Sequence, residues 1–216
     1  PNEAAARATF GLMPDYRKIY AAHADRYHAL VAAEDHLGNL PRALSSLVEL
    51  RGARVVEMGM GTGRVTRELI DAGASVSGYD ESPAMIAVAR QLLGDRTYRA
   101  AVADVRSIEL PERSADVAIA AWVLGHFCEW YADAWQSEID KVLGTMWSAL
   151  DDGGTLIVVE TLGTGSESPR APNEALATYY RHLEGTWGME HQHIRTDYRF
   201  ESLEAASASI EFFFGE

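Results

Sequence analysis

Cysteine is almost absent from this chain of 216 residues, in which Cys128 is the single example. A disulfide within one chain is therefore excluded, which is typical of a protein from a reducing compartment, and we expect a cytoplasmic location. Uninterrupted apolar runs of about 20 residues, the length that a membrane-spanning helix needs, are also missing. The opening segment, PNEAAARATF, lacks the charged and then apolar pattern of a secretory signal, so we expect no membrane partner.

Basic residues are scarce relative to acidic ones. The chain has 19 Lys and Arg against 32 Asp and Glu, which gives a net charge of −13. Such a surface repels polyanions at long range, so we expect no nucleic acid and no anionic lipid surface among the partners. With 47% hydrophobic and 24% charged residues, the composition is that of an ordinary globular protein. We expect a monomer or a homodimer.

From residue 54 onward, short apolar runs alternate with stretches of helical periodicity. The predicted strands are Arg54–Met58, Ser75–Tyr79, Tyr98–Ala103, Ala115–Trp122 and Thr155–Glu160. The predicted helices are Arg64–Ala72, Ser82–Leu93 and a long one from Trp130 to Leu150, which a turn at Asp151–Gly154 ends. Strands that alternate with helices predict an α/β fold, Rossmann-like and doubly wound, with a mainly parallel sheet covered by helices on both faces.

Both flanks of this core are predicted to be mostly helical. Residues 13–50 carry aromatic and apolar residues near a 3.6-residue period, among them Tyr16, Tyr20 and Tyr27, and a second helical stretch follows Pro41. After the fifth strand we predict a polar loop at Gly163–Pro172, a helix at Asn173–Leu183, a strand at His191–Phe200 and a helix at Ser202–Phe214.

A glycine-rich turn joins the first strand to its helix. Residues 57–63 read Glu-Met-Gly-Met-Gly-Thr-Gly, which places glycines at Gly59, Gly61 and Gly63 and an acid at Glu57. Glycine permits positive φ angles and lets the backbone approach a ligand closely, while the N–H groups at the start of the next helix face that ligand. In this strand–turn–helix context, the motif predicts a nucleotide-like ligand.

Two kinds of ligand compete for this turn. A dinucleotide site needs Gly-x-Gly-x-x-Gly, and Arg64 occupies the position of its third glycine. The observed spacing is Glu-x-Gly-x-Gly-x-Gly, and its acid suits S-adenosylmethionine, which carries a sulfonium and an ammonium but no phosphate. The turn therefore favours S-adenosylmethionine over a nicotinamide dinucleotide.

Asp80 ends the second strand and is the next candidate for ligand binding. A carboxylate at this place can accept hydrogen bonds from both hydroxyls of a ribose. It can also stabilise the N-terminus of the following helix, which opens with Ser82 and Pro83. One side chain can fill both roles.

Three segments resemble the class I S-adenosylmethionine-dependent methyltransferases, of the UbiE-like type that acts on small molecules. VVEMGMGTGRVTRELIDAGASVSGYDESPAMIAVAR is similar to their first two motifs, DVRSIELPERSADVAIAAWVLGHF to the next two, and DDGGTLIVVET to the motif of the fifth strand. The resemblance implies S-adenosylmethionine as cofactor, S-adenosylhomocysteine as product and a small-molecule methyl acceptor. It also implies a helical lid at 1–50, a cofactor-binding core at 51–162, and a substrate-side loop, helix and sheet-edge elements at 163–216.

The resemblance further implies roles for residues around the first two strands. Glu57 lines the methionine half of the cofactor together with Gly59, Gly61 and Gly63. Asp80 holds the ribose, and Glu81 and Met85 border the adenine pocket.

Further along the chain, the resemblance implies that Asp104 accepts from the adenine amino group and that Val105 offers its backbone N–H to the ring. Ala121 and Trp122 belong to residues 120–126, which face the methionine end and the substrate. Asp104 can instead cap the turn before Arg106, and Trp122 can be core packing.

The lid implied by the resemblance brings tyrosines near the cofactor. Tyr16 and Tyr27 are the candidates that reach it, and packing is the alternative role for both.

Histidines are the main candidates for a general base, with a lid tyrosine as a further one. His126 follows the fourth strand, where open α/β sheets bind ligands, and a purely structural role is its alternative. His191 and His193 alternate on a predicted strand close to Trp187, so they would share one face. Two ligands without a clear third are too few for a metal site, so we expect no metal.

Two departures from the family pattern bear on function. Ala-Ala-Trp-Val after the fourth strand replaces the Asn/Asp-Pro-Pro-aromatic motif of enzymes that methylate amino groups of nucleic acids. The antiparallel seventh strand of the family has no counterpart after Ser202–Phe214, so we expect a missing C-terminal strand or a sheet edge completed by a partner. Two other functions stay open: a sensor or partner subunit that binds S-adenosylmethionine without turnover, and, disfavoured by Arg64, a nicotinamide-dependent oxidoreductase.

Overall fold

The computed structural model describes residues 15–215 and contains a five-stranded parallel sheet. In chain order the strands are β1 (Arg54–Met58), β2 (Ser75–Asp80), β3 (Tyr98–Val102), β4 (Ala115–Ala121) and β5 (Leu150–Val159). The helices are α1 (Tyr16–Ala22), α2 (Ala24–Ala32), α3 (Asn39–Leu47), α4 (Arg64–Asp71), α5 (Pro83–Leu93), α6 (Phe127–Trp130), α7 (Trp135–Ala149), α8 (Glu174–Trp187) and α9 (Leu203–Phe214), with a 3₁₀ turn at Leu124–His126.

The strand order is β3-β2-β1-β4-β5, and every neighbouring pair is parallel. The chain winds outward from β1 to β3 on one side and then returns to β4 on the other. The order therefore reverses between β1 and β4, and in open α/β sheets the crevice at this point, outside the carboxyl ends of the strands, binds ligands. The predicted doubly wound fold is confirmed.

Hydrophobic residues cover both faces of the sheet, because alternate residues of each strand point to opposite sides. On one face, Val56 and Met58 of β1 pack with a cluster that includes buried residues of α7. On the other face, Val55 of β1 joins a cluster that contains Val65 and Leu69 of α4. Strand β4 is covered on both faces, and its sequence is apolar at every position except Asp116.

The N-terminal helical region is divided into three helices, where the periodicity predicted one stretch over 13–50 and a second after Pro41. The first two residues of that prediction, 13 and 14, lie outside the described part. Helix α3 begins at Asn39, two positions before Pro41, because both carboxylate oxygens of Asp35 accept hydrogen bonds, one from the N–H of Asn39 and one from that of Leu40, each 2.8 Å long. A cap of this kind sets a helix start that periodicity alone does not show.

The long helix predicted from Trp130 to Leu150 is wrong in its first turn. The chain forms α6, turns over Tyr131–Ala134, and only then enters α7. The two helices serve different surfaces: the aromatic residues of α6 border a cleft, whereas the buried residues of α7 pack against the sheet.

Strand β5 starts earlier than predicted. Leu150 already pairs with Ala115, and the next regular pair is Thr155 with Val117, so the predicted turn Asp151–Gly154 is an irregularity within the strand. Gly153 takes a φ of 79°, which fits a bulge that inserts extra residues into one strand.

The strand predicted at His191–Phe200 is wrong. Residues 190–200 have no regular secondary structure, and the sheet has no strand after β5 among residues 15–215. The segment instead runs along the α2–α3 connection: the N–H of Arg199 donates to the Ala33 oxygen over 2.8 Å, and Asn39 Nδ2 donates to the Arg195 oxygen over 2.7 Å. The local hydrophobic pattern does not reveal these contacts.

The predicted C-terminal helices are present. Asn173 caps α8 and Ser202 caps α9, each through a side chain that accepts from the backbone N–H three residues later. None of the helices in the described range 15–215 has the length and hydropathy to cross a membrane.

Candidate active site

The glycine-rich turn takes the conformation that its glycines predict. Gly59, Gly61 and Gly63 have φ angles of 71°, 54° and 83°, a region that side chains with a Cβ rarely adopt. The N–H groups of Gly59 and Met60 both donate to the Tyr79 oxygen, over 2.7 and 2.9 Å, which ties the turn to the end of β2. At Gly61 a Cβ would meet no atom within 4 Å, so the turn leaves open space on this side.

Asp80 organises the carboxyl end of β2. Its Oδ2 accepts from the N–H of Gly61 and its Oδ1 from the N–H of Ser82, both over 2.8 Å. Burial raises the pKa of this carboxyl, while the two backbone hydrogen bonds act in the opposite direction. Ser82 in turn caps α5 by accepting from the N–H of Met85. The same carboxylate therefore supports the start of α5 and borders the cleft described next.

A cleft opens at the carboxyl ends of β1, β2 and β4, and the space between its walls, counted out into open solvent, is about 650 Å³. Its floor and walls come from the sheet ends and from α6, and its roof from α1 and α2. Its lining residues are Tyr20, Tyr27, Gly59, Gly61, Asp80, Glu81, Met85, Asp104, Val105, Arg106, Ala121, Trp122, Val123, His126, Phe127, Trp130 and Tyr131.

Most residues that the sequence predicted for the cofactor share this cleft. The ones that line it are Gly59, Gly61, Asp80, Glu81, Met85, Asp104, Val105, Ala121, Trp122 and Tyr27, together with the base candidate His126. The ones that do not line it are Glu57, Gly63, Tyr16, His191 and His193.

Glu57 lies beneath the turn rather than in the cleft. Its carboxylate is 1% exposed and accepts from the Thr66 hydroxyl over 2.6 Å. Burial raises the pKa of Glu57 to about 8. Gly63 begins α4, and a Cβ there would lie 3.0 Å from Leu93 of α5, so this glycine permits close packing of two helices. Both residues support the turn from behind.

Asp104 is held by its neighbour. Arg106 donates to it from the backbone N–H over 2.9 Å and from Nη2 over 2.6 Å. Burial raises the pKa of Asp104, but the bonds from Arg106 outweigh this effect and hold it below its usual value. The turn-capping role is thus present, and the carboxylate still borders the cleft beside Val105.

His126 and Tyr20 form a hydrogen-bonded pair inside the cleft, with 2.9 Å between the imidazole Nε2 and the phenol oxygen. The imidazole also stacks on Trp130, with ring centroids 4.7 Å apart and planes 8° from parallel. Burial lowers the pKa of His126 to about 4 and raises that of Tyr20 well above its usual value. Both groups are therefore uncharged at neutral pH.

The roof of the cleft is aromatic. Tyr27 packs edge-on against Tyr20 with ring centroids 5.1 Å apart, and burial raises its pKa to about 12. Tyr16 lies outside the cleft and contacts the outer side of Tyr20 and His126. Phe213 of α9 packs on the same tyrosines, with its centroid 5.1 Å from Tyr16 and 5.4 Å from Tyr27. The C-terminal helix thus supports the roof.

Several lining residues were missed from the sequence. Phe127, Trp130 and Tyr131 lie three and four positions apart, a spacing that puts them on one helix face. Their position just after β4 was an available signal, but the predicted long helix began at Trp130 and left Phe127 outside it. Arg106 was also missed as a lining residue, whereas Val123 lies in the predicted segment 120–126.

Glu160 was missed as well. It follows β5, and its Oε1 accepts from the N–H of Gly125 over 2.9 Å and from the Tyr179 hydroxyl over 3.2 Å. Burial raises its pKa to about 7. Through Gly125 this carboxyl supports the 3₁₀ turn that carries His126.

His191 and His193 are exposed, and the cleft does not include them. Their rings stack with centroids 5.1 Å apart, and His191 pairs with Glu184 over 2.8 Å. In residues 15–215 no group of three or more His, Cys, Asp and Glu side chains is arranged to hold a metal ion.

Comparisons with known proteins agree with this geometry. Residues 56–158 match the family model described as a methyltransferase domain. An uncharacterized methyltransferase of Anoxybacillus flavithermus is 27% identical over 128 residues, which cover 59% of this chain and 56% of the relative. The demethylmenaquinone methyltransferase of Thermus thermophilus is 28% identical over 144 residues, covering 65% and 58%. The chain therefore spans a little over half the length of these two relatives.

Solved structures show the same fold. The complex of DhpI with SAM and HEP superposes with a TM-score of 0.55 at 22% identity, covering 90% of this chain and 85% of that one. The matched domain, 56–158, holds the glycine-rich turn, Asp80 and the strands whose ends form the cleft. Sequence motifs, strand order and family match thus agree: residues 56–158 match a methyltransferase domain, and over this domain the chain resembles the class I S-adenosylmethionine-dependent methyltransferases.

Proposed function

We propose that this chain transfers a methyl group from S-adenosylmethionine to a small-molecule acceptor. One observation carries the proposal: the cleft combines the glycine-rich turn and Asp80 with the uncharged Tyr20–His126 pair, under an aromatic roof. The proposed cofactor site and the Tyr20–His126 pair would thus share one cleft.

The residues of the cleft fit S-adenosylmethionine. The open space at Gly61 lets a ligand approach the backbone, and Asp80 offers carboxylate oxygens for a ribose. Glu81 and Met85 would border the adenine, with Val105 beyond them, and Ala121 and Trp122 the methionine half. When bound, this cofactor supplies an electrophilic methyl group on a cationic sulfur, and the acidic surroundings suit that charge.

The chain itself would contribute mainly alignment and exclusion of water. Methyl transfer is an in-line displacement, so holding two reactants in line supplies much of the rate. Tyr20 and Tyr27 close the cleft from above and limit the access of water. His126 lies in the cleft, bonded to Tyr20, and would take the proton when the acceptor nucleophile has to lose one, although its lowered pKa makes it a weak base.

A small acceptor is supported by the shape and charge of the site. The cleft is lined by several aromatic rings, and the net charge of −13 is unfavourable for a polyanion. The Thermus thermophilus relative is named a demethylmenaquinone methyltransferase. The aromatic walls and the net charge favour a largely apolar acceptor over a polyanion.

The first test is calorimetric titration with S-adenosylmethionine, S-adenosylhomocysteine and NAD. We expect micromolar binding of the first two and none of NAD. Asp80→Ala should abolish binding, whereas Asp116→Ala should leave it unchanged, because Asp116 pairs with Arg54 at the opposite end of the sheet. Binding of NAD alone would contradict the proposal.

The second test measures turnover. Formation of S-adenosylhomocysteine is followed over a panel of small amines, phenols, quinones and thiols, with His126→Gln as the comparison. Turnover by the wild type that falls at least tenfold in the variant supports the assigned roles. Tight cofactor binding without turnover of any acceptor would instead indicate a sensor or partner subunit.

A further inference from the structure

Arg64 begins α4 directly after the glycine-rich turn, and its side chain is folded inward. The guanidinium carbon lies 4.3 Å from the ring centroid of Trp122, over its face. Nη1 donates to Glu34 Oε2 over 2.7 Å, in a pair whose side chains are only 14% and 11% exposed. Arg64 thus joins a wall of the cleft to the end of the lid.

Trp122 needs support of this kind. It directly follows β4 and has a φ of 55°, in the left-handed region that residues with a Cβ rarely adopt. Only three non-glycine residues in the described part of the chain have a positive φ, and Trp122 is the one that lines the cleft. Strained backbone persists where the surrounding contacts hold it in place, often at ligand sites.

The partner of Arg64 is itself fixed from a third direction. Glu34 also accepts from the Thr196 hydroxyl over 2.6 Å and from the Tyr198 hydroxyl over 3.1 Å. These residues belong to the irregular segment that runs along the α2–α3 connection. Its carboxylate therefore joins three parts of the chain that lie far apart in sequence.

A stabilising role alone explains this arrangement poorly. Arg64 Nη2 is the one buried side-chain polar atom in the described residues without a hydrogen-bond partner. A buried donor left unpaired costs free energy, and a fold optimised for stability alone would avoid that. The guanidinium stacks on the Trp122 ring, and its Nη2 donor has no hydrogen-bond partner there.

We propose that Arg64 is a positioning residue for the cofactor site: stacked on Trp122 and paired with Glu34, it holds the tryptophan backbone in the conformation that shapes the methionine end of the cleft. This inference rests on the proposed cofactor site and adds a residue that does not touch the cofactor. Arg64 occupies the position of the third glycine of a dinucleotide motif. The residue that disfavours NAD binding would therefore also position Trp122.

The test compares Arg64→Met with Arg67→Met, because Arg67 lies on the same helix but is 53% exposed and pairs with its neighbour Glu68. Calorimetry gives the Kd of S-adenosylhomocysteine. We expect Arg64→Met to weaken binding about tenfold, which corresponds to about 1.4 kcal/mol. Arg67→Met should stay within about twofold of the wild type. An unchanged Kd in Arg64→Met would overturn the proposal.

A second readout separates positioning from general stability. In a Trp122→Leu background, which has no ring for the guanidinium to stack on, the further change Arg64→Met should alter the Kd less than about twofold. Tryptophan fluorescence gives a further measurement. The change that Arg64→Met causes in the emission spectrum of the protein without cofactor should vanish in the same Trp122 background. Equal effects of Arg64→Met with and without Trp122 would overturn the proposal.

Arg64→Lys guards against a variant that fails to fold. Lysine keeps a positive charge for Glu34 but lacks the planar group that stacks on a ring. We expect a thermal midpoint close to that of the wild type and a Kd raised at least about threefold. Wild-type affinity in this variant would refute the role of stacking. If the wild type binds no S-adenosylhomocysteine, the proposed function is refuted, and the tryptophan fluorescence result then decides whether Arg64 contacts Trp122.

Discussion

Alanine at three glycines with positive φ should separate the stability of the fold from cofactor binding. Gly52, Gly59 and Gly61 have φ angles of 78°, 71° and 54°. An added Cβ meets nothing within 4 Å at Gly52 or Gly61, but lies 2.2 Å from Val123 Cγ2 at Gly59. Gly52 stands before β1 and does not line the cleft, so it serves as a control for backbone strain alone.

The expected magnitudes follow from these environments. A residue with a Cβ in the left-handed region costs about 1 kcal/mol, so Gly52→Ala and Gly61→Ala should each lower the free energy of unfolding by roughly that amount. Gly59→Ala adds overpacking against Val123, which costs about 1–3 kcal/mol, for a total of about 2–4 kcal/mol.

Urea denaturation and titration with S-adenosylhomocysteine provide the two assays. Gly52→Ala should keep wild-type affinity, whereas Gly61→Ala should lose at least about tenfold, because its methyl group occupies the space that a ligand needs. Equal affinities of Gly52→Ala and Gly61→Ala would refute the placement of the cofactor on this turn. Gly59→Ala as stable as Gly61→Ala would refute the packing argument.

Three further outcomes are expected. The pKa of Glu57 is about 8 in the fold against an ordinary 4.5, so between these pH values the folded state holds a proton that the unfolded state releases. The free energy of unfolding should therefore fall as pH rises from 4.5 through 8, and urea unfolding of Glu57→Gln should show a smaller fall across this window. Tyr20→Phe removes the hydroxyl bonded to His126 and should lower kcat about tenfold with the Kd for S-adenosylhomocysteine within about twofold, and unaltered kcat would count against the pair. Since burial raises the pKa of Cys128 to about 11, iodoacetamide at pH 8 should alkylate the native thiol at least about tenfold more slowly than the unfolded one, as mass spectrometry can follow.

The core of the fold was predictable because its signals are local. Strand β1 has the predicted bounds, and the predicted ends of α4, β2, α5, β3 and β4 differ from the structure by a residue at most. Strand β4 is apolar except at Asp116, and the two residues Ser82-Pro83 mark a helix start. Asp80 and the glycines of residues 59–63 could be predicted for the same reason, because the end of a strand and a glycine-rich turn are both recognisable from a few adjacent residues.

What the sequence did not reveal depends on contacts between distant segments. Asp35 sets the start of α3 from outside the helix. The segment 190–200 makes hydrogen bonds to the α2–α3 connection and does not pair as a strand. Tyr20 and His126 meet only because the roof folds over the sheet edge. No periodicity in either segment contains that information.

The contacts of Phe213 with the roof tyrosines join the two ends of the described chain. A loop that spans nearly the whole domain has a large closure entropy, so these contacts should form late in folding, after the sheet has assembled. They should also open first in the native state, and hydrogen exchange at α1 and α9 should be faster than at β1 or β4. The supply of ligand to the cleft would then depend on local opening of the roof, an equilibrium that a change at either end of the chain can alter.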